Sequence, residues 1–233
     1  MSRTTIIAEL ATGHGGDVGL AADMIRAAAE AGCDYAKVQT YDLARLNPLD
    51  PQADWLRQSH LDRSAHETLI QVAQDAGIPF LSTPFDAGSL TMLRALGLRT
   101  FKMASSESVA GWWGRQKGEH WIVSYPWGLR PPDTPQVITA LTAIPLYPTP
   151  FEAVGRATLL DGWSDHTEGL AACQWALAQG MRVLEAHLTI PGSRCTPWDK
   201  TPAQFRALRT FADAVETMRS GVSTQFRARW QRA

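Results

Sequence analysis

Runs of period two and runs of helical period succeed one another along this chain. Thr4 to Leu10 and Tyr35 to Tyr41 predict strands, and between them Asp17 to Ala31 is alanine-rich, spaces its apolar residues as a helix does and is closed by Gly32. Ser64 to Ala76 predicts a helix, with Ser64 and Glu67 at capping-box spacing and Gly77 as its stop. Pro79 to Thr83 predicts the third strand, Asp86 to Leu96 a helix ended by Gly97, Thr100 to Ser105 the fourth strand and Trp121 to Tyr125 the fifth. Ile144 to Tyr147 predicts a short sixth strand, Gly162 to His166 the seventh and Val183 to His187 the eighth, with helices over Glu168 to Gln179 and Pro202 to Met218.

Eight strands alternating with helices predict a parallel sheet, and the count fits an α/β fold of the (β/α)8 TIM-barrel type over residues 1–220, with 221–233 as a C-terminal tail. An open doubly wound sheet is the alternative, but no Gly-x-Gly-x-x-Gly follows the first strand, which counts against its dinucleotide-binding form. The barrel is compact. Between Glu107 and Trp121, and between Pro126 and Pro150, there is room for only a turn or two of helix, and Pro131, Pro132, Pro135, Pro145, Pro148 and Pro150 crowd that stretch. Asn47 to Asp62 is a long connection of the kind that often carries function.

The formal net charge over 233 residues is -1, which gives no basis for nucleic-acid or polybasic membrane binding. Arg227, Arg229 and Arg232 read as a solvated tail. No apolar run reaches membrane-spanning length and no secretory pattern opens the chain, so the expected location is the cytoplasm. Cys33, Cys173 and Cys195 are widely spaced and odd in number, which fits a reducing compartment and supplies no disulfide or zinc framework.

The chemistry of parallel barrels sits at the C-terminal ends of the strands. Here those ends carry Glu9, then Lys37 and Gln39, Ser82 and Thr83, Lys102 with Ser105 and Glu107, Ser124, Tyr147, Ser164 with His166, and Glu185 with His187. Residues two apart share a strand face, so Ser164 and His166, and Glu185 and His187, each point to one side. Two imidazoles meeting at one rim make half of a divalent-metal site. Two interior lysines cost desolvation unless anions compensate them, either as structural pairs (Lys37 with Glu9, Lys102 with Glu107) or through a bound ligand. Lysines beside Ser and Thr hydroxyls describe a site for a phosphate or phosphocarboxylate. Trp112, Trp113 and Trp127 read as core packing or as sugar-stacking rings. His60, His66 and His120 read as solvated, and His14 is left open between a structural and a chemical role.

At this point the chain resembles the sialic acid synthases, the family of N-acetylneuraminate synthase and its legionaminic and pseudaminic acid relatives. The resemblance is carried in order by Ile6-Ile7-Ala8-Glu9 with His14-Gly15-Gly16, Lys37-Val38-Gln39-Thr40-Tyr41, Ser82-Thr83-Pro84-Phe85-Asp86, Phe101-Lys102-Met103-Ala104-Ser105 with Glu107, Tyr147-Pro148-Thr149-Pro150, Ser164-Asp165-His166-Thr167, and Glu185-x-His187-x-Thr189. It implies a (β/α)8 barrel that condenses phosphoenolpyruvate with an aldehyde sugar such as N-acetylmannosamine and releases phosphate. It implies a divalent metal (Mn2+ or Mg2+) on His166 and His187. Phosphoenolpyruvate would be held by Lys37, Thr83, Lys102, Ser105, Ser124 and Ser164. Gln39 and Tyr147 would line the substrate site, Glu9 and Glu107 would stand near the reacting atoms, and Glu107 would handle the proton of the attacking water. The family's C-terminal antifreeze-like domain, which caps a neighbour's sugar site, is expected to be missing, so a homodimer partner or a separate cap domain would close the site.

Several segments depart from the family pattern. Gly13-His14-Gly15-Gly16 lacks two amide side chains after the first strand, Ser106 stands where a glycine is usual, Ser124-Tyr125-Pro126-Trp127 replaces Ser-Thr-Gly-Met, and Pro145 replaces a polar residue. Ala186 replaces a lysine, but its parity points it out of the barrel. Cys195-Thr196-Pro197-Trp198-Asp199 replaces Gly-Pro-Asp-His, with Asp199 as a stand-in for the acidic residue. These departures leave open a non-catalytic or partner-dependent binding barrel and, since fold does not fix function, a metal-dependent isomerase or aldolase.

Overall fold

A computed structural model describes residues 3–108, 114–130 and 138–221. Trp112, Trp113 and the basic tail with Arg227, Arg229 and Arg232 lie outside the described residues. The elements run β1 (Thr5–Ala11), α1 (Val18–Glu30), β2 (Tyr35–Thr40), a 3-10 turn (Leu43–Arg45), α2 (Ala53–Gln58), α3 (Arg63–Asp75), β3 (Phe80–Pro84), α4 (Ala87–Ala95), β4 (Thr100–Met103), α5 (Ser105–Ser108), β5 (His120–Pro126), β6 (Ile138–Ala143), α6 (Phe151–Val154), β7 (Gly162–Asp165), α7 (Ala171–Gln179), β8 (Val183–His187) and α8 (Pro202–Gly221). The strands are parallel and hydrogen-bonded in the order β3-β2-β1-β8-β7-β6-β5-β4. β3 and β4 lie in contact without a paired register, so the expected TIM barrel is nearly closed, with one seam free of ladder hydrogen bonds. Helices α5 and α6, after β4 and β6, span one turn each among the described residues, and Pro131, Pro132 and Pro135 of the proline-rich stretch lie outside them.

The sixth strand is displaced from its predicted place. Ile138–Ala143 pairs with both β5 and β7, whereas the predicted run Ile144 to Tyr147 is loop. Pro145 has no N–H to give a ladder, and Leu146 N instead turns back onto Ile144 O at 2.8 Å. The capping box is also corrected. Asp62 caps α3, its Oδ1 accepting from Ala65 N at 2.8 Å, while Glu67 pairs with Arg63 at 2.9 Å. Asp62 stands at the position whose side chain reaches the orphan donors; Ser64 is already inside the first turn.

Outward strand residues, among them Ile6, Ala8, Leu10, Val38, Leu184 and Ala186, form the main core against α1, α3, α7 and α8. Ala186 is therefore where its parity placed it. Inward residues form a second, smaller core at the barrel floor: Ile7, Leu81, Ile122 and Leu141, with Tyr35 and Val183 packed on it. Burying each such side chain contributes roughly 1.5–3 kcal/mol. Gly162 belongs to this floor because a Cβ there would lie 2.3 Å from Val183 O and 2.5 Å from Leu141 Cδ2. One step up, the inward positions turn polar on every strand but β6, which gives Ala143: Glu9, Lys37, Thr83, Lys102, Ser124, Ser164 and Glu185. An apolar floor thus seals the bottom of a polar bowl.

The long connection after β2 folds back over the mouth. Tyr41 donates its hydroxyl to Leu56 O at 2.8 Å, and Trp55 Nε1 donates to Thr12 Oγ1 at 3.0 Å. Gly16, at φ +85, fits here because a Cβ would sit 2.1 Å from Gln58 O. His66 is fully buried rather than solvated, its ring bridging Thr40 Oγ1 and Asp62 O, both at 2.8 Å. His14 is buried too, its Nδ1 accepting from Gly16 N at 3.1 Å. Trp127 packs against the main core. Among the described residues no helix is long and apolar enough to cross a membrane.

Candidate active site

A cavity of about 950 Å3 opens at the C-terminal mouth of the barrel. It is lined by Glu9, Lys37, Gln39, Thr83, Lys102, Ser105, Ser124, Tyr147, Ser164, His166 and His187. Glu107, the remaining candidate, does not line it. Position 105 begins α5, with Ser108 Oγ donating to Ser105 O at 2.9 Å, and two residues on a helix are about 200° apart. Ser105 and Ser106 line the cavity, and the proton-handling role expected for Glu107 rests on the resemblance alone. Lys102 takes Glu185, rather than Glu107, as its carboxylate partner.

The polar bowl is built on strand register. Glu9 stands beside Lys37 on β2 and beside His187 on β8, and Ser164 stands beside Glu185. Lys37 Nζ pairs with Glu9, lies 3.5 Å from Glu185 and donates to Thr83 Oγ1 at 2.8 Å. Lys102 Nζ lies 3.4 Å from Glu185 Oε1 and donates to Ser124 Oγ and Met103 O at 2.8 and 3.0 Å. Ser164 donates to Glu185 Oε1 at 2.8 Å. Glu9 is oriented by its own backbone: the strand bulges, Ala11 adopts φ 48, and Ala11 N donates to Glu9 Oε1 at 2.6 Å. Burial lowers the pKa of both lysines, and Glu185 opposes that shift. Burial alone would raise Glu185, but the charges of Lys102 and Lys37 win and hold its carboxyl below the usual range. Lys102 and Lys37 thus hold Glu185 ionised in a site shielded from water, while burial brings the Lys37 ammonium down to about 7.

The imidazoles stand at the ends of β7 and β8, one inward position above Ser164 and Glu185. The rings of His166 and His187 are 5.4 Å apart, and Tyr147 lies 4.4 Å from His166. Tyr147 reaches this place from a loop, not from a strand end. Thr149 N donates to His166 O at 2.7 Å and ties the loop to the end of β7. Burial lowers the His166 pKa to about 4 and carries His187 well below its ordinary value, with His166 adding to the effect on His187. Both rings are therefore neutral near pH 7. His166 Nδ1 is buried without a hydrogen-bond partner, and His187 Nδ1 faces Asp199 Oδ1 at 3.7 Å. A neutral imidazole with an unsatisfied nitrogen, beside one backed by a carboxylate, is the donor chemistry a divalent metal takes. Among the described residues no group of three or more His, Cys, Asp or Glu side chains is arranged to hold a metal, so the chain offers two imidazoles.

The sequence pattern of the NeuB family matches residues 24–111 and 134–225. The chain belongs to the NeuB family. Among its relatives, the N,N'-diacetyllegionaminic acid synthase of Campylobacter jejuni is 29% identical, covering 95% of this chain and 78% of that protein. The pseudaminic acid synthase of the same species is 26% identical, covering 93% of this chain and 74% of that protein. The solved sialic acid synthetase of Leptospira borgpetersenii superposes with a TM-score of 0.83 at 21% identity, covering 96% of this chain and 87% of that one, which shows the same fold. The chain is an enzyme of the sialic-acid-synthase kind.

This NeuB-family site also contains residues that the strand-end reading left out. Glu185 was placed at a strand end by its parity with His187 but given no role, and its position between Lys37 on β2 and Lys102 on β4 needed the closed barrel to be known. Arg194, Trp198 and Asp199 come from the loop between β8 and α8, where no period applies. Asp199 does stand in the cavity, as proposed for it from sequence. Burial raises its pKa, against hydrogen bonds from Thr196 N and Oγ1 at 2.7 and 2.6 Å.

Proposed function

We propose that this cavity joins phosphoenolpyruvate to an aldehyde sugar of the N-acetylmannosamine class, giving a nonulosonic (sialic-type) acid and phosphate. The observation that carries the reading is the convergence of Lys37 and Lys102, with their hydroxyl partners, on the same mouth as His166 and His187. The cavity volume, at the upper end for small-molecule sites, accommodates two substrates together.

Lys37 and Lys102 would hold the phosphate and carboxylate of phosphoenolpyruvate, with Thr83, Ser105, Ser124 and Ser164 as hydroxyl donors. Glu185 opposes the loss of a proton from both ammoniums before that anionic ligand enters. His166 and His187 would hold Mn2+ or Mg2+, which when bound supplies Lewis-acid polarisation of the aldehyde carbonyl. Tyr147 and Gln39 would orient the sugar. C3 of phosphoenolpyruvate forms a bond to the aldehyde carbon, and the aldehyde oxygen gains a proton. Water adds at C2, losing the proton that balances this gain; the bond from C2 to the phosphate oxygen then breaks as the new C2 hydroxyl becomes the keto group and its proton passes to the departing phosphate. Of the two cavity carboxylates without a lysine partner among the described residues, Asp50 and Asp199, it is Asp199 that faces His187, so Asp199 is the group suited to take the water's proton. The lysines stabilise the departing phosphate electrostatically. Phosphoenolpyruvate as donor implies the cytoplasm as the compartment.

Incubation with phosphoenolpyruvate, Mn2+ and a panel of aldoses including N-acetylmannosamine should release phosphate only when all three are present. No release with any aldose, together with no binding of phosphoenolpyruvate by calorimetry, overturns the reading.

A further inference from the structure

Three segments meet where the mouth opens to solvent. Arg194, in the loop between β8 and α8, donates its backbone N–H to Gly13 O at 2.8 Å. Its guanidinium lies over the Trp55 ring, 4.4 Å from the centroid. Trp55 is itself fixed by the bond from its Nε1 to Thr12 Oγ1. Arg194 and Thr12 line the cavity, and Trp55 backs the arginine from outside it.

The charge around this arginine is unlike that deeper down. Lys37 and Lys102 each have carboxylate partners within the bowl. Among the described residues no carboxylate pairs with Arg194. Of the other acidic residues that line the cavity without a lysine partner, Asp50 accepts from Gln52 N at 2.8 Å and Asp199 accepts from Thr196, and neither pairs with Arg194. A guanidinium stacked on an indole has one face covered and its orientation set, while its N–H edge stays open. That edge matches the paired oxygens of a phosphate or carboxylate.

We propose that Arg194, set by Trp55, forms a subsite for an anionic oxygen group at the end of the acceptor sugar remote from its aldehyde. The inference rests on the reading above, in which the lysines take phosphoenolpyruvate and the aldehyde lies near the imidazoles. The sugar's far end then extends toward the rim, where Arg194 is the cation without an internal partner. Arg194 is a specificity residue, distinct from the groups that touch the reacting atoms.

The test compares N-acetylmannosamine, its 6-phosphate and the corresponding uronic acid in the wild type, Arg194→Ala and Arg194→Lys. The expected result is a preference, in kcat/KM, of the wild type for one of the two anionic sugars over the neutral one. That preference should fall about 10-fold or more in Arg194→Ala, the loss of a charge-assisted hydrogen bond, and partly in Arg194→Lys. Because each preference is a ratio within one preparation, it does not depend on how much of a variant folds. The phosphate and carboxylate arms tell which anion the fork takes. A preference unchanged by Arg194→Ala, or a wild type that prefers the neutral sugar, overturns the proposal. Should no acceptor turn over, the proposed function falls, and calorimetry still judges the subsite: tighter binding of an anionic sugar than of N-acetylmannosamine, lost in Arg194→Ala, supports it, and equal affinities refute it.

Discussion

Lys200 Nζ lies 2.8 Å from Asp165 Oδ2, and neither side chain has any solvent exposure. Asp165 ends β7 and directly precedes His166; Lys200 directly follows Trp198 and Asp199. The ammonium also donates to Thr167 O at 2.6 Å and Trp198 O at 2.8 Å, and the carboxylate accepts from Trp163 Nε1 at 2.9 Å and Thr167 Oγ1 at 3.0 Å. One buried pair therefore fastens the loop that carries Asp199 to the strand end that carries His166. Lys200→Met would leave Asp165 charged and buried without its counter-ion. A loss of about 3–5 kcal/mol in unfolding free energy is expected by urea denaturation. A loss under 1 kcal/mol would show that water or another group replaces the ammonium at little cost.

Lys102 is predicted to matter most for the donor substrate. Lys102→Met removes one of the two cations assigned to phosphoenolpyruvate and leaves Glu185 with Lys37 at 3.5 Å. The apparent KM for phosphoenolpyruvate should rise about 10- to 100-fold, the loss of one charge-assisted contact. An unchanged KM in steady-state assays would remove Lys102 from the donor site.

His14 gives a pH dependence with a definite sign. Burial lowers its pKa from 6.5 to about 4. The unfolded chain therefore takes up the proton first as pH falls. The stability linked to neutral His14 is fully present above pH 6.5, declines below it and is gone once pH has passed through about 4. A shift of this size corresponds to roughly 3 kcal/mol over the window. Urea midpoints measured between pH 7.5 and 4 should fall more steeply in the wild type than in His14→Gln, which has no ring to protonate. Parallel curves for the two proteins would mean that His14 is not held neutral. His66, also lowered by burial, contributes a slope of the same sign that both proteins keep.

The cap of α3 offers a compact check on local folding. Asp62→Ala should cost about 1 kcal/mol, because Asp62 Oδ1 holds Ala65 N, whereas Ser64→Ala should stay within roughly 0.5 kcal/mol. The reverse order in thermal melts would restore the serine as the cap.

That helix also illustrates what the chain discloses on its own. Periodicity located both ends of α3 to within a residue or so, yet picked the wrong capping side chain, since Asp62 and Ser64 offer similar oxygens two residues apart. Strand parity placed Glu9, Lys37, Lys102, Ser164 and His187 inside one barrel, because a closed parallel sheet leaves inward residues nowhere else to go. It failed at β6, where proline ends the ladder at Ala143 and Tyr147 arrives through a tethered loop. It does not extend to Glu107, which sits in the helical turn that follows β4 at once, where strand parity no longer applies. Arg194 was invisible for a different reason: its place depends on stacking against Trp55, some 140 positions earlier in the chain, and no local pattern encodes such a contact.

Metal binding can be separated from turnover. If His166 and His187 hold a divalent ion, the folded state alone offers both imidazoles together, so added Mn2+ stabilises it by linkage. At 100 times the dissociation constant the gain is roughly 2.7 kcal/mol, a rise of a few degrees in Tm for a domain of this size. His166→Ala removes the buried nitrogen that has no other partner and should abolish the rise without exposing a new charge. His187→Ala should abolish it as well and leave Asp199 without the ring it faces. Asp62→Ala, far from the cavity in role, should melt lower but keep the full Mn2+ increment. An increment that survives in either histidine variant would place the ion elsewhere.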